Sequence, residues 1–153
     1  MKHRIFVALE PSKELTDKLA DWQRQHGDMR GIRWIKPRNL HITLIPPWHT
    51  HDIRSIQERL QLIGGGVGPI DLCFRKVDLG PNRSKPRLVW AVAPENNTIN
   101  DTYQRVKKLL DADGTGLVAM PHITIGRCQG VQFCRELSST CGVARDNKIP
   151  DSA

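Results

Sequence analysis

The chain has 153 residues, of which 39% are hydrophobic and 25% are charged, proportions typical of a folded globular protein. Its formal net charge of +7 favours encounter with polyanions such as nucleic acids. No apolar run is long enough to span a bilayer, and the amino terminus lacks a signal-peptide core, so a cytoplasmic protein without a membrane segment is expected.

The first third of the chain predicts a strand, a helix and two further extended segments. Residues 4–9 form an apolar run typical of a buried strand. Ser12 is placed as the N-cap of a helix in which Leu15, Leu19 and Trp22 recur at helical spacing. Extended segments are predicted at 32–35 and 40–45 with a turn at 37–39, and Pro46-Pro47 is expected to end the second of them.

The rest of the chain is predicted to contain further helices and strands in a similar order. A second helix is predicted from about Asp52, and the glycine-rich run 64–69 is expected to connect two halves, about 1–66 and 67–130. Alternating apolar residues predict a strand at 70–74, followed by a loop at 80–86 and a strand at 88–92. A third helix is predicted with a cap near Asn97 or Thr98, then an extended segment at 117–125. The end of the chain, 131–153, has no periodicity and is expected to be a loose tail.

The two halves carry matching motifs, His41-Ile42-Thr43-Leu44 and His122-Ile123-Thr124-Ile125, separated by about half the chain. In each half the order is an apolar strand, an amphipathic helix and a strand with His-Ile-Thr, which indicates a duplicated unit. Strand side chains alternate between faces, so the His and Thr of each motif share one face. If the halves pair, the two polar faces meet across one cleft.

This pattern suits the cleavage of phosphoesters. Two histidines can act as acid and base near neutral pH, while hydroxyls and an arginine hold the phosphate oxygens. One histidine beside a threonine is usually structural, but two copies in matching positions favour function. Arg127 closely follows the second motif; it is either a phosphate partner or a solvated charge. Trp48 either stacks on a base or packs in the core, whereas Trp90 is assigned to the core.

The four cysteines show no spacing typical of a zinc site and are expected to be free thiols, so neither a metal nor a cofactor is predicted. The other histidines have no comparable setting and are expected at the surface: His3, His26, His49 and His51.

The motifs, together with residues 4–9, 33–44, 87–90 and 121–127, resemble those of the two-histidine (2H) phosphoesterase superfamily. Within it, the chain is most similar to the bacterial and archaeal RNA 2′,3′-cyclic phosphodiesterases, also called 2′-5′ RNA ligases. The resemblance implies a bilobal, duplicated α+β fold with two antiparallel sheets around a central cleft and helices on the outside. It also implies an RNA or oligonucleotide with a 2′,3′-cyclic phosphate end as the substrate, and the protein is expected to be a monomer.

The same resemblance implies roles for the site residues. His122 would be the base for water and His41 the acid for the leaving 3′ oxygen, without a metal, leaving a 2′-phosphomonoester. Thr43, Thr124 and Arg127 would hold the phosphate. Running the reaction backwards would allow 2′-5′ ligation.

Two alternatives stay open at this point. One is a nucleotide- or RNA-binding module with little turnover, and the other is a phosphodiesterase for small cyclic nucleotides. The chain also departs from the family at Pro46-Pro47-Trp48, where relatives continue with Phe-Leu-Gly, so contacts to the base are expected to differ.

Overall fold

A computed structural model describes residues 1–82, 84–111 and 120–129, which form an α+β fold. Its elements in chain order are β1 (His3–Leu9), α1 (Lys13–Gln25), β2 (Ile32–Trp34), a 3₁₀ turn (Pro37–Asn39), β3 (Ile42–Thr50), α2 (Ile53–Gly64), β4 (Lys76–Gly80), β5 (Leu88–Val92), α3 (Asn97–Leu110) and β6 (His122–Cys128). Among these residues, no helix is both long and apolar enough to cross a bilayer.

The three predicted helices are confirmed, and each begins at a side-chain cap. The Ser12 hydroxyl accepts a hydrogen bond from the Leu15 amide at 3.2 Å at the start of α1. The carboxylate of Asp52 and the amide oxygen of Asn96 do the same for α2 and α3, at 2.9 and 3.1 Å. These caps satisfy amides that have no partner within the helix, which fixes where each helix starts.

The described strands form one six-stranded sheet in the order β1-β3-β6-β5-β4, and β2 also pairs with β6. Two sheets were expected. The strands join into one because β6 uses both of its edges: β5 lies along one, while β2 and Ile42 of β3 lie along the other. All of these pairings are antiparallel. The duplication into halves and the central cleft stay predictions.

Two strand predictions were wrong. Strand β3 does not end at Pro46-Pro47 but runs on to Thr50. On its edge toward β6, β3 pairs through Ile42, well before the prolines, and proline is tolerated in a strand where its missing N–H would not bond to a neighbour. The segment 70–74 is not a strand, although Phe74 is buried; the strand is β4, set by its pairing with β5 from Lys76 to Gly80.

The remaining sequence predictions concern the turn before the first motif, strand β5, the cysteines and the end of the chain. The 3₁₀ turn at Pro37–Asn39 and strand β5 lie where they were predicted. Cys128 is disulfide-bonded, so the expectation of free thiols is wrong for that residue. The predicted tail, 131–153, lies outside the described residues.

The chain divides into two compact units. The first comprises Met1–Leu9, Thr43–Leu72 and Glu95–Pro121, and its buried residues include Leu44, Ile45, Ile99 and Tyr103. The second comprises Glu10–Ile42, Cys73–Pro94 and the chain from His122 onward. Its core contains Leu19, Val89, Ala91, Ile123 and Ile125, and it holds both motif histidines.

Candidate active site

Strands β3 and β6 meet at the residues that follow the two histidines. Ile42 pairs with Ile123, and both are buried, at 4% and 0% exposure. Paired residues point to the same side of a sheet, and their chain neighbours point to the other. His41, His122 and Thr124 therefore lie on the opposite, half-buried side, as the alternation of exposure along both segments also shows. We call this side of the second unit the site face.

The antiparallel register sets the spacing of these groups. His41 precedes Ile42 and His122 precedes Ile123, so the two histidines lie on a diagonal across the Ile42–Ile123 pair. Diagonal neighbours on one face of a sheet are about 7–8 Å apart. Thr124 lies directly opposite His41 when the register is extended by one residue. The structure therefore brings both histidines and one motif threonine together on one surface.

The imidazole of His41 is held by a hydrogen bond within its own segment. Its Nδ1 lies 2.8 Å from the backbone carbonyl oxygen of Asn39, at the end of the 3₁₀ turn. A carbonyl oxygen only accepts hydrogen bonds, so Nδ1 carries the proton and the neutral ring has its lone pair on Nε2. The turn thus fixes both the orientation of the ring and the nitrogen available for proton transfer.

The imidazole of His122 is held by an aromatic ring. Trp90 of β5 pairs directly with Thr124, and its indole lies 4.3 Å from the His122 ring, centroid to centroid, at an interplanar angle of 34°. Assigning Trp90 to the core was wrong: Val89 and Ala91 point to the core, and the strand alternation turns Trp90 to the site face. Sequence patterning did not reveal this contact because the whole of β5 is apolar.

Gly80 makes room for the indole of Trp90. A Cβ atom at Gly80 would lie 2.2 to 2.5 Å from three atoms of the six-membered ring. Those distances are far below van der Waals contact, so only glycine fits beneath the ring in this position. Glycine at position 80 therefore supports the ring that packs on His122.

Arg127 lies on the site face because β6 contains a β-bulge. Regular alternation would place it with Ile123 and Ile125 on the core side. However, Val89 pairs with Gly126 while the next residue, Trp90, pairs with Thr124, which leaves Ile125 as an extra residue. Beyond this bulge Arg127 pairs with Leu88. Leu88 and Trp90 are two residues apart on β5, so both point to the site face, and Arg127 points there with its partner. The bulge thus turns the guanidinium to the side of the histidines, where it is exposed.

The side chain of Gln23 of α1 forms hydrogen bonds at the bulge. Its side-chain amide donates hydrogen bonds to the carbonyl oxygens of Ile125, at 2.8 Å, and Ile35, at 2.9 Å. Gln23 is itself buried, at 6% exposure. The bulge carbonyl also accepts from the Ile35 amide at 2.9 Å. A buried glutamine in an otherwise apolar helix stripe is the sequence signal that could have indicated such a contact.

The structure places the other predicted residues as follows. Thr43 and Trp48 are half-buried and belong to the first compact unit. His49 and His51 are exposed, as predicted, and His26 packs on Trp22 at 3.9 Å between ring centroids. Within 1–82, 84–111 and 120–129, no three His, Cys, Asp or Glu side chains are grouped closely enough to hold a metal ion.

Comparison with solved structures defines the class of fold. The chain superposes on the Thermus thermophilus protein TT0787 with a TM-score of 0.68 and 19% identity, over 84% of this chain and 75% of that one. It superposes on Escherichia coli LigT in its apo form with a TM-score of 0.61 and 20% identity, over 84% and 74% of the two chains. The α+β fold is therefore a LigT-like fold.

Sequence comparison gives the family. The model of the LigT-like phosphoesterases matches residues 9–90, more than half of the chain. The chain therefore belongs to the LigT-like phosphoesterase family, a 2H family. It is 28% identical over 130 residues to an RNA 2′,3′-cyclic phosphodiesterase of Archaeoglobus fulgidus, covering 81% of this chain and 72% of that protein. A protein of the same name from Methanocaldococcus jannaschii is 26% identical over 136 residues, covering 88% and 76%.

Proposed function

We propose that this phosphoesterase opens 2′,3′-cyclic phosphates at RNA ends and leaves 2′-phosphomonoesters, with His41 and His122 as the acid and the base. The observation that carries the proposal is the pairing of Ile42 with Ile123, which sets the two histidines on one diagonal of one face. A separation of about 7–8 Å between their strand positions leaves room for one phosphate between two imidazoles. The names of the archaeal relatives supply the substrate class.

In this reaction His122 takes a proton from water as the water oxygen bonds to phosphorus. The bond from phosphorus to the 3′ oxygen breaks on the opposite side, and His41, in its imidazolium form, gives the proton on Nε2 to that oxygen. The phosphate remains on the 2′ oxygen. The hydrogen bond from Nδ1 of His41 to Asn39 directs Nε2 to this task. If a 5′-hydroxyl takes the place of water, His122 takes its proton, the 5′ oxygen bonds to phosphorus, the bond to the 3′ oxygen breaks, and a 2′-5′ phosphodiester is formed.

The phosphate oxygens need donors because negative charge develops on them as the water attacks. We assign this role to the hydroxyls of Thr43 and Thr124 and to the guanidinium of Arg127. Thr124 and Arg127 share the site face with His122, which supports their part of the assignment. Preorganised donors of this kind lower the barrier because they need no rearrangement during the reaction. Trp48 is proposed to stack on a base of the substrate.

The test is turnover of an RNA that ends in a 2′,3′-cyclic phosphate, measured with a strong chelator present. We expect a 2′-phosphomonoester as the product and an optimum in pH, with activity falling on both sides. His41→Ala and His122→Ala should each lower kcat/KM by about 10²- to 10⁴-fold with the fold unchanged. His51→Ala is the matched control, because His51 is exposed and outside the site face.

Three results would contradict parts of the proposal. Full turnover in either site variant would exclude the acid-base pair. A 3′-phosphate product would exclude the bond assignment while leaving a phosphodiesterase. Tight, salt-sensitive RNA binding by the wild type without turnover would favour the binding module.

A further inference from the structure

Two arginines face each other across β2 and β6. Arg33 pairs directly with Arg127 in the antiparallel register, and both side chains are exposed. Directly opposed residues have Cβ atoms about 4.5–5.5 Å apart, and like charges in such a pair are destabilising. Within the described part of the chain, neither guanidinium has a carboxylate partner. The pair therefore concentrates positive charge that no ion pair within 1–82, 84–111 and 120–129 neutralises.

The arginine pair belongs to the site face. On the other edge of β6, Arg127 pairs with Leu88, which points to the same side of β5 as Trp90. Arg33 is paired with Arg127 across β2 and β6, so it points to that side as well. The neighbour of Arg33, Trp34, points the other way, because its ring makes an edge contact with Trp22 of α1 at 5.8 Å between centroids. Arg33 is thus directed away from the helix and toward the side of the histidines.

The distance between the arginine pair and the two histidines indicates how many phosphates the ligand has. Arg127 pairs with Leu88, three residues from the partner of Ile123 on β5, so the arginine pair lies roughly 10 Å along the strands from the centre of the histidine diagonal. The long side chain of Arg127 is assigned to the reacting phosphate, which leaves Arg33 for a neighbouring one. The chain around Arg33 and His41 adds positive charge, since residues 29–51 contain no acidic residue. The basic residues in that stretch are Arg30, Arg33, Lys36 and Arg38.

We propose that Arg33 binds a second phosphate, the phosphodiester next to the cyclic end of an oligonucleotide, beside the reacting phosphate that Arg127 holds. This inference rests on the proposed function and adds a specificity to it: the enzyme prefers the end of a chain to a mononucleotide. The guanidinium fork of Arg33 can offer two parallel donors to a phosphodiester, and charge-assisted hydrogen bonds of this type are strong and directional. Arg33 is a specificity residue here, because it contacts the substrate away from the reacting phosphorus.

The test compares two substrates, a nucleoside 2′,3′-cyclic phosphate and a trinucleotide with the same end. The measured quantity is the ratio of kcat/KM for the trinucleotide to kcat/KM for the nucleoside. We expect Arg33→Gln to lower this ratio about tenfold, the size of one lost charge-assisted contact. Arg33→Lys should restore part of it, because lysine keeps the charge and loses the fork. The dependence of trinucleotide turnover on log salt should become shallower by about 0.7 in Arg33→Gln.

Arg54→Gln is the matched control, since it removes the same charge from an exposed arginine of α2 that pairs with Glu58. It should leave the ratio and the salt dependence at the wild-type values. If the wild type turns over both substrates and Arg33→Gln has an unchanged ratio, the second phosphate site is overturned and the proposed function stands. If the wild type turns over neither, the proposed function fails. In that case, equilibrium binding of the trinucleotide tests the second phosphate site by itself. Equal affinity of the wild type and Arg33→Gln for the trinucleotide would overturn that site.

Discussion

The contact between Gly80 and Trp90 gives a sharp prediction about how His122 is positioned. In Gly80→Ala the new methyl group would lie 2.2 Å from the nearest atom of the Trp90 ring, against 3.4 Å or more in ordinary contact. The ring or the strand must therefore move by about 1 Å. Overpacking of this kind costs about 1–3 kcal/mol. For a chain of this size each kcal/mol corresponds to about 2–4 °C, so Tm should fall by about 2–12 °C.

The same displacement should affect catalysis, because the ring that moves packs on His122 at 4.3 Å. A misplacement of about 1 Å in a catalytic group can cost about 10²-fold, so we expect kcat to fall by up to that factor. Thermal unfolding and steady-state kinetics measure the two effects. Gly65→Ala is the control, since a Cβ at Gly65 meets nothing within 4 Å and its backbone is helical. That variant should keep Tm within about 1–4 °C of wild type, or above it.

A double-mutant cycle tests whether the contact with Trp90 causes the loss of stability in Gly80→Ala. In a Trp90→Ala background the methyl group at position 80 has no ring to meet, so Gly80→Ala should then cost almost nothing. The coupling energy between the two positions is expected to be about 1–3 kcal/mol. An unchanged Tm for Gly80→Ala alone, or equal costs in both backgrounds, would refute the reasoning from steric contact.

Three further substitutions test other contacts by thermal unfolding. Gly126→Ala would place a Cβ 2.9 Å from Ile32 and 3.1 Å from Trp34, so a loss of about 1 kcal/mol is expected; no loss would mean that β2 adjusts freely. Gln23→Leu removes the donor to two carbonyls and should cost about 1–3 kcal/mol, whereas an unchanged Tm would mean that water replaces it. Asp52→Ala removes the cap of α2 and should cost about 1 kcal/mol, and a neutral result would show that the cap is dispensable.

Local signals were sufficient to predict the helices and part of the site. The caps at Ser12 and Asp52 act on the nearest amides, so sequence alone locates the helix starts to within a residue or two. The alternation in His-Ile-Thr likewise predicted that His122 and Thr124 share a face. Pairing between strands is not a local property. Sequence patterning therefore missed that the strand after the glycine-rich run begins at Lys76 and that the strands join into one sheet.

Arg127 was selected from the sequence without the feature that orients it. It was selected because it follows the second motif closely, yet strict alternation from His122 would turn it toward the core. The extra residue at Ile125 reverses the alternation, and Gln23, about a hundred residues away in the chain, donates to the carbonyl at that point. The orientation of the arginine therefore depends on the packing of α1 against β6. Gln23→Leu should therefore lower kcat/KM for the cyclic-phosphate substrate as well as Tm. A variant that loses stability but keeps full kcat/KM would separate the bulge from the orientation of Arg127.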